Sequence, residues 1–239
     1  MTNTIERLIP DQVAPDDVTG QATLQLHLQR YEFAAEHLAP GRLLDIACGV
    51  GYGTHLMVEK AKGIVEAIGV DLAEEAVAYA RQHYATGRIQ FQRHDAMTYV
   101  DARGFDSVVS VETLEHVPEP SRLIHHLVGL IRPGGVFIAS VPTTPSVDVN
   151  PYHLHDFTEY SFRRMVTRHG LRELGHLRQN QPYPLMGVLK RKEARMQDMR
   201  QHLLSYYLQH PSALGKRLWA TQRYGFTNQY LTAVWQKTP

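Results

Sequence analysis

Cysteine is almost absent from this 239-residue chain, with Cys48 the single one. A disulfide framework is therefore excluded, and a reducing, cytoplasmic compartment is the expectation. Long apolar runs are missing as well; none approaches the roughly 18 residues that a membrane-spanning helix needs. Residues 1–17 carry Glu6, Asp11, Asp16 and Asp17 and no apolar stretch, so a secretory signal is not expected. An excess of either charge is lacking too. Lys and Arg total 25 against 24 Asp and Glu, a formal +1, which gives the chain as a whole no general pull towards nucleic acid or a membrane surface. There is no internal repeat and no low-complexity tract. What is present is ordinary globular material, 43% hydrophobic and 21% charged, enough for a sizeable core without staples.

Residues 1–20 read as a flexible arm punctuated by Pro10, Pro15 and Gly20. From Gln21 to Leu38, Leu24, Leu28, Tyr31, Ala35 and Leu38 recur at helical spacing until Pro40-Gly41 stops them. Short apolar runs at 42–47, 67–70, 89–93, 105–111 and 136–141 read as buried strands. Helical patterns at 53–60, 73–84 and 121–131 alternate with them, which predicts an α/β fold with a parallel sheet and right-handed crossovers. A helix over 159–169, a strand over 171–177 and a last strand over 229–235 follow. One domain over 21–239 is expected. It carries a lid-like insertion at 181–224, helical from Leu189 to Leu208, before the last strand.

The sharpest signal is Asp45-Ile-Ala47-Cys48-Gly49-Val-Gly51-Tyr52-Gly53, entered by a strand and left by a helix. Glycines there permit a tight turn and a close approach of ligand to backbone, at the point where doubly wound sheets bind ligands. A dinucleotide loop would hold a pyrophosphate at the helix N-terminus. Here the spacing is G-x-G-x-G, and Asp45 precedes it with no Lys or Arg between Asp45 and Gly53. A carboxylate repels a pyrophosphate and favours an ammonium or a sulfonium. Asp71, at the end of the second strand, suits two ribose hydroxyls, and Asp95-Ala96 after the third suits an adenine amino group. The three acids describe a cationic tail, a ribose and an amino-purine, which fits S-adenosylmethionine better than a nicotinamide dinucleotide. Taken singly, Gly51 and Gly53 read equally as plain turn residues, and Asp71 and Asp95 as plain helix caps.

The segments LLDIACGVGYG (43–53), GVDLAEEAV (69–77), HDA (94–96), FDSVVSVETLEHV (105–117) and LIRPGGVFIASVP (130–142) resemble those of the class I, Rossmann-like, S-adenosylmethionine-dependent methyltransferases. The resemblance runs from about Leu24 to Leu171 and includes the last strand. It implies a mostly parallel seven-stranded sheet with helices on both faces and an antiparallel last strand. It further implies that Asp45, Ala47, Gly49, Gly51 and Tyr52 surround the methionine part of the cofactor, Asp71 and Leu72 the ribose, and Asp95 and Ala96 the adenine. Ser110, Val111 and Glu112 would lie beside the reacting methyl. Arg30 and Tyr31 either close over the cofactor or belong to the surface.

Glu112-Thr-Leu-Glu115-His116 follows the fourth strand, and in a helical turn Glu112, Glu115 and His116 share one face. Two carboxylates and an imidazole there would bind a divalent ion. The pattern resembles that of the ubiquinone-biosynthesis O-methyltransferases and of the small-RNA 3′-end methyltransferases; in the latter the two glutamates, the histidine and a distant second histidine hold a magnesium. His153 or His155, after the fifth strand, would supply that ligand or act as general base beside His116. The plainer alternative is a histidine that orients a loop with no metal. Cys48 reads as packing.

From Arg172 to Tyr224 ten Lys and Arg face only Glu173, Glu193 and Asp198, a net +7. The insertion is expected to give the acceptor mouth an aromatic wall and a positive rim that attracts phosphates, carboxylates, a membrane or RNA. It reads equally as a solvated face used for packing or for a homodimer. The polar segment Thr143–Asn150 suits a hydroxylated acceptor. The expected function is O-methylation of a saccharide or small natural product. RNA 2′-hydroxyl methylation and a non-catalytic S-adenosylmethionine-binding protein are the alternatives. An aminopropyl-transferring enzyme would want an acidic polyamine pocket, and the basic last third argues against it.

Overall fold

A computed structural model describes residues 8–182 and 199–238. Seven strands form one sheet: β1 (Gly41–Ile46), β2 (Ile64–Asp71), β3 (Ile89–Arg93), β4 (Phe105–Val111), β5 (Ile131–Pro142), β6 (Leu171–Pro182) and β7 (Thr227–Lys237). Their order is β3-β2-β1-β4-β5-β7-β6. All neighbouring pairs are parallel except β5–β7 and β6–β7, which are antiparallel. The order reverses between β1 and β4, and the crevice outside their carboxyl ends is where this architecture receives ligands.

Helices α1 (Val18–His37), α2 (Tyr52–Lys60) and α3 (Glu74–Tyr84) cover one face; α4 (Pro120–Leu130) and α5 (Glu159–Thr167) cover the other. Adjacent residues of one strand feed the two cores alternately. Leu43 packs with Tyr31, Met57 and Phe91, while Leu44 packs with Phe105, Phe137 and Trp235. The two cores sandwich the central strands beneath the crevice.

Three elements differ from expectation. The arm is docked from Leu8 onward: Ile9 is fully buried against Val50 and Ala76, and Pro10–Gln12 form a 3-10 turn. A single isoleucine with no periodic neighbours gives no amphipathic signal. Strand β6 runs to Pro182 rather than stopping at 177. It lies at the sheet edge, where alternate residues face solvent, so its polar second half does not look like a strand. The insertion's described part forms α6 (Leu203–Gln209) and α7 (Pro211–Tyr224). Helix α7 lies inside the expected helical insertion but beyond Leu208, where the expected helical stretch ended; Gly215 interrupts its pattern. The stretch 189–198 of the expected insertion helix lies outside the described residues.

Candidate active site

The glycine loop turns out of β1 and caps α2, and its glycines serve different ends. Gly49 has φ +57°, and an added Cβ there would meet nothing, so the position faces open space. Gly51 has φ +87°, and a Cβ would lie 2.7 Å from Ala80 Cβ and 2.8 Å from the Phe91 ring. Gly53 is needed for packing, since a Cβ would fall inside the ring of Tyr31 on α1. Among the described residues three non-glycine positions hold positive φ, and two of them are Ala47 at +56° and Glu112 at +50°. They end β1 and β4, the strands that flank the switch point. Such backbone is costly for a residue with a Cβ, and it marks both positions as constrained by their surroundings.

Two adjoining cavities open at the carboxyl ends of the strands. The first, about 370 Å³, is lined by Ala47, Gly49, Tyr52, Asp71, Leu72, Asp95, Ala96, Val111 and Glu112 among the expected residues. Asp71 is held by the backbone: its carboxylate accepts from Gly49 N–H and from Ala73 N–H, each at 2.9 Å. Asp45, Gly51 and Ser110 do not line the cavity. Asp45 and Ser110 are fully buried beneath it. Thr54 Oγ donates to Asp45 at 2.6 Å. Burial drives the Asp45 carboxyl up to about 7, with Thr54 opposing and Asp71 adding to the rise. Tyr31 lines the cavity, and burial followed by the nearby Asp45 charge raises its phenol.

The second cavity, about 310 Å³, shares Leu8, His27, Glu112 and His116 with the first. Its wall is drawn from α1 (Thr19, Thr23), the β5–α5 loop (Ser146, Val149, Asn150, His153), the ends of β6 and β7 (Gln181, Asn228, Tyr230) and the insertion (Tyr207, Arg217, Thr221). Uncharged hydrogen-bonding side chains are set into a wall that is mostly apolar by surface, with Leu8, Pro142, Met199 and Phe226 contributing.

His116 and His153 pack edge to face, ring centroids 4.7 Å apart. His116 Nδ1–H donates to Tyr152 O at 3.2 Å, which makes Nε2 the acceptor nitrogen of that tautomer. His153 Nδ1 lies 2.7 Å from Ser146 Oγ. Burial, and then the neighbouring His116, push His153 down to about 3, so its ring is neutral near pH 7 and holds a proton poorly. His155 is directed elsewhere: its Nε2–H donates to Val117 O at 2.9 Å, and it lines neither cavity.

The expected metal set of Glu112, Glu115 and His116 is not brought together. Glu115, His116 and His153 place one ligand atom each within 4.8 Å of one another. Glu112 is engaged otherwise, its Oε1 accepting from Ser140 Oγ at 2.8 Å and its Oε2 lying 3.5 Å from Arg30.

The expected positive rim is also redirected. Arg217 grips Asp148 through Nε at 2.8 Å and a terminal nitrogen at 2.6 Å. Arg200 donates to the carbonyls of Val147 and Asp148, and Lys216 lies 3.4 Å from Asp156. These cations tie the insertion to the β5–α5 loop. Lys190, Arg191, Lys192 and Arg195 lie outside the described residues.

Leu8 and His27 were missed from sequence. Leu8 carries no signal. His27 completes a polar stripe with Thr19 and Thr23 at four-residue spacing, which places all three on one side of α1.

A family model described as a methyltransferase domain matches residues 21–230. A Mycolicibacterium smegmatis protein named as an S-adenosylmethionine-dependent methyltransferase is 28% identical over 179 residues, 67% of this chain and 68% of that one. A ubiquinone biosynthesis O-methyltransferase of Xanthomonas axonopodis pv. citri is 32% identical over 124 residues. That match covers 49% of this chain and 51% of the relative, so the chain spans about half the length of the ubiquinone enzymes it matches. Among solved structures, the N-methyltransferase NodS of Bradyrhizobium japonicum WM9 in complex with S-adenosyl-L-homocysteine superposes with a TM-score of 0.61. At 15% identity, over 94% of this chain and 90% of that one, it shows the shared fold. With a family model spanning most of its length, the chain belongs to the methyltransferase domain family and is a class I S-adenosylmethionine-dependent methyltransferase.

Proposed function

We propose that this enzyme methylates a hydroxyl oxygen of a saccharide or small natural product. The observation that carries the reading is the meeting of the two cavities at His116 and Glu112. One cavity is built for the donor and the other for the acceptor. Ala47, Gly49, Tyr52, Asp71, Leu72, Asp95, Ala96 and Val111 fit the cofactor. Gly49 leaves the approach open, and Asp71 and Asp95 present acceptors to ribose and adenine. S-adenosylmethionine would supply a methyl on a sulfonium, whose carbon–sulfur bond breaks as the methyl passes to the acceptor and leaves a neutral thioether behind. The chain's task is to hold donor and acceptor in line and to receive a proton. His116 Nε2, fixed by the Nδ1 contact to Tyr152, takes the hydroxyl proton as oxygen bonds to the methyl carbon. His153 holds the loop through Ser146. Thr19, Thr23, Asn150, Gln181, Asn228 and Tyr230 give the acceptor wall the neutral hydrogen-bonding character that a hydroxylated molecule needs. The insertion acts as its lid, and the single buried Cys48 accords with a cytoplasmic setting.

The test is methyl transfer from labelled cofactor to a panel of glycosides, catechols and amines. His116→Ala should lower kcat about 100-fold or more while cofactor affinity stays within about threefold. Full turnover by that variant, or label entering amine nitrogen alone, would overturn the reading.

A second reading is RNA 2′-hydroxyl methylation with a divalent ion held by Glu115, His116 and His153. Two imidazoles and one carboxylate fit a transition-series ion better than magnesium, which prefers an all-oxygen shell. Such an ion would lower the pKa of the accepting hydroxyl. Restoration of chelator-treated enzyme by manganese, together with oligonucleotide binding that weakens steeply with salt, would favour it.

A further inference from the structure

Arg30 is 1% exposed, a guanidinium withdrawn almost wholly from water on the inner side of α1. Its Nε donates to Gln179 Oε1 at 2.8 Å, and its plane lies 4.1 Å over the ring of Tyr230. Gln179 is fixed in turn by Leu26 O and Gln29 Oε1. One terminal nitrogen of Arg30 has no hydrogen-bond partner among the described residues and lies 3.5 Å from Glu112 Oε2. A buried cation costs several kcal/mol to desolvate and persists where a counter-charge compensates it. Glu112 is that counter-charge. It is itself over-determined: its backbone holds φ +50°, its N–H donates to Ser140 Oγ at 3.0 Å, and Ser140 Oγ donates back to Oε1 at 2.8 Å. Its side chain is 16% exposed and borders both cavities, whereas Arg30 lines neither.

We infer that Arg30 is a positioning residue that neutralises and orients Glu112 where donor and acceptor meet. The inference rests on the placement of the cofactor in the first cavity. A sulfonium carries its full positive charge in the ground state and loses it during transfer. An uncompensated carboxylate beside it would stabilise the reactant more than the transition state and so slow the reaction. Paired with Arg30, Glu112 keeps its directional oxygen for the acceptor while the junction stays close to electrically neutral. Glu112 thus has a different task from Glu115, although the sequence presents the two as one motif.

The experiment needs no acceptor. Calorimetry gives the affinities of S-adenosylmethionine, which is a sulfonium, and S-adenosylhomocysteine, which is a neutral thioether. Their ratio reports the charge at the junction and is insensitive to general loosening of the site. Arg30→Met should raise the preference for the sulfonium about tenfold, the order expected when one charge a few ångströms away loses its counter-ion. Arg30→Lys should restore the wild-type ratio, and adding Arg30→Met to Glu112→Gln, which removes both charges, should bring the ratio back to within about twofold of the wild type. An unchanged ratio in Arg30→Met, or a double variant whose ratio stays far from that of the wild type, overturns the inference. Where Arg30→Met does not fold, Glu112→Gln alone decides. The ratio must then fall by about threefold or more, since Arg30 is left uncompensated, and no fall overturns the inference. Failure of the wild type to bind either ligand would instead remove the cofactor placement itself.

Discussion

Burial pushes the Asp45 carboxyl up to about 7 from an ordinary value of 3.8, with Thr54 restraining the rise and Asp71 adding to it. The folded chain therefore binds a proton at Asp45 that the unfolded chain has already released. Its stabilising effect is complete below pH 3.8 and is lost as pH climbs through 7. Between pH 5 and pH 8 the loss is about 3 kcal/mol. Asp45→Asn keeps an acceptor for Thr54 and removes the titration. Denaturant melts at the two pH values should show the gap between wild type and variant opening in favour of the variant at pH 8. Gly53 makes the second residue-scale case. A methyl there collides with the Tyr31 ring, so Gly53→Ala should destabilise the protein by about 1–3 kcal/mol in urea, despite the better helix propensity of alanine. An unchanged midpoint would mean that α1 can retreat from α2 without cost.

Among the elements, legibility followed burial. Strands β1, β4 and β5 are buried on both faces, and their apolar runs announced them. The glycine loop was legible because its backbone demands glycine at Gly49 and Gly51. Edge strand β6 was half seen, because only alternate residues face the core. The described part of the expected positive rim differs for another reason. Composition counts Arg200, Lys216 and Arg217, but the pairing partners Asp148 and Asp156 lie more than forty residues away in the chain. Asp148 is 2% exposed and accepts from both Arg217 and Tyr207. Burial alone would raise its carboxyl, yet the hydrogen bond and charge of Arg217 prevail and hold it below the ordinary range. That contribution is present above the ordinary carboxylate pKa and is lost only as pH falls through the acid range below it. Removing the carboxylate strands Arg217, so Asp148→Ala should cost about 3 kcal/mol locally. Amide exchange should quicken over α6, α7 and the β5–α5 loop while β1 and β4 keep their protection. Uniform quickening would show that the clamp is not local.

For the whole molecule, fold and chemistry were legible to different depths. The switch point between β1 and β4 follows from strand order, and the order follows from the alternation of strands and helices. The second cavity does not follow from any motif, because it is assembled from α1, the β5–α5 loop, the ends of β6 and β7 and the insertion. Only tertiary structure joins these segments, which is why His155 looked equivalent to His153 in sequence and lines neither cavity in the fold. A ligand in the first cavity touches the ends of β1, β2 and β4, the α1 helix and the docked Leu8 at once. It therefore stabilises the global unfolding unit rather than one loop. At a concentration of 100 Kd, S-adenosylhomocysteine should add about 2.7 kcal/mol and raise Tm by about 5–10 °C for a domain of this size. A nicotinamide dinucleotide at the same concentration should leave Tm in place, because its pyrophosphate would have to settle in a cavity lined by the Asp71 and Asp95 carboxylates, over a loop with no cation between Asp45 and Gly53. An equal shift with the dinucleotide would mean that these carboxylates do not choose the ligand.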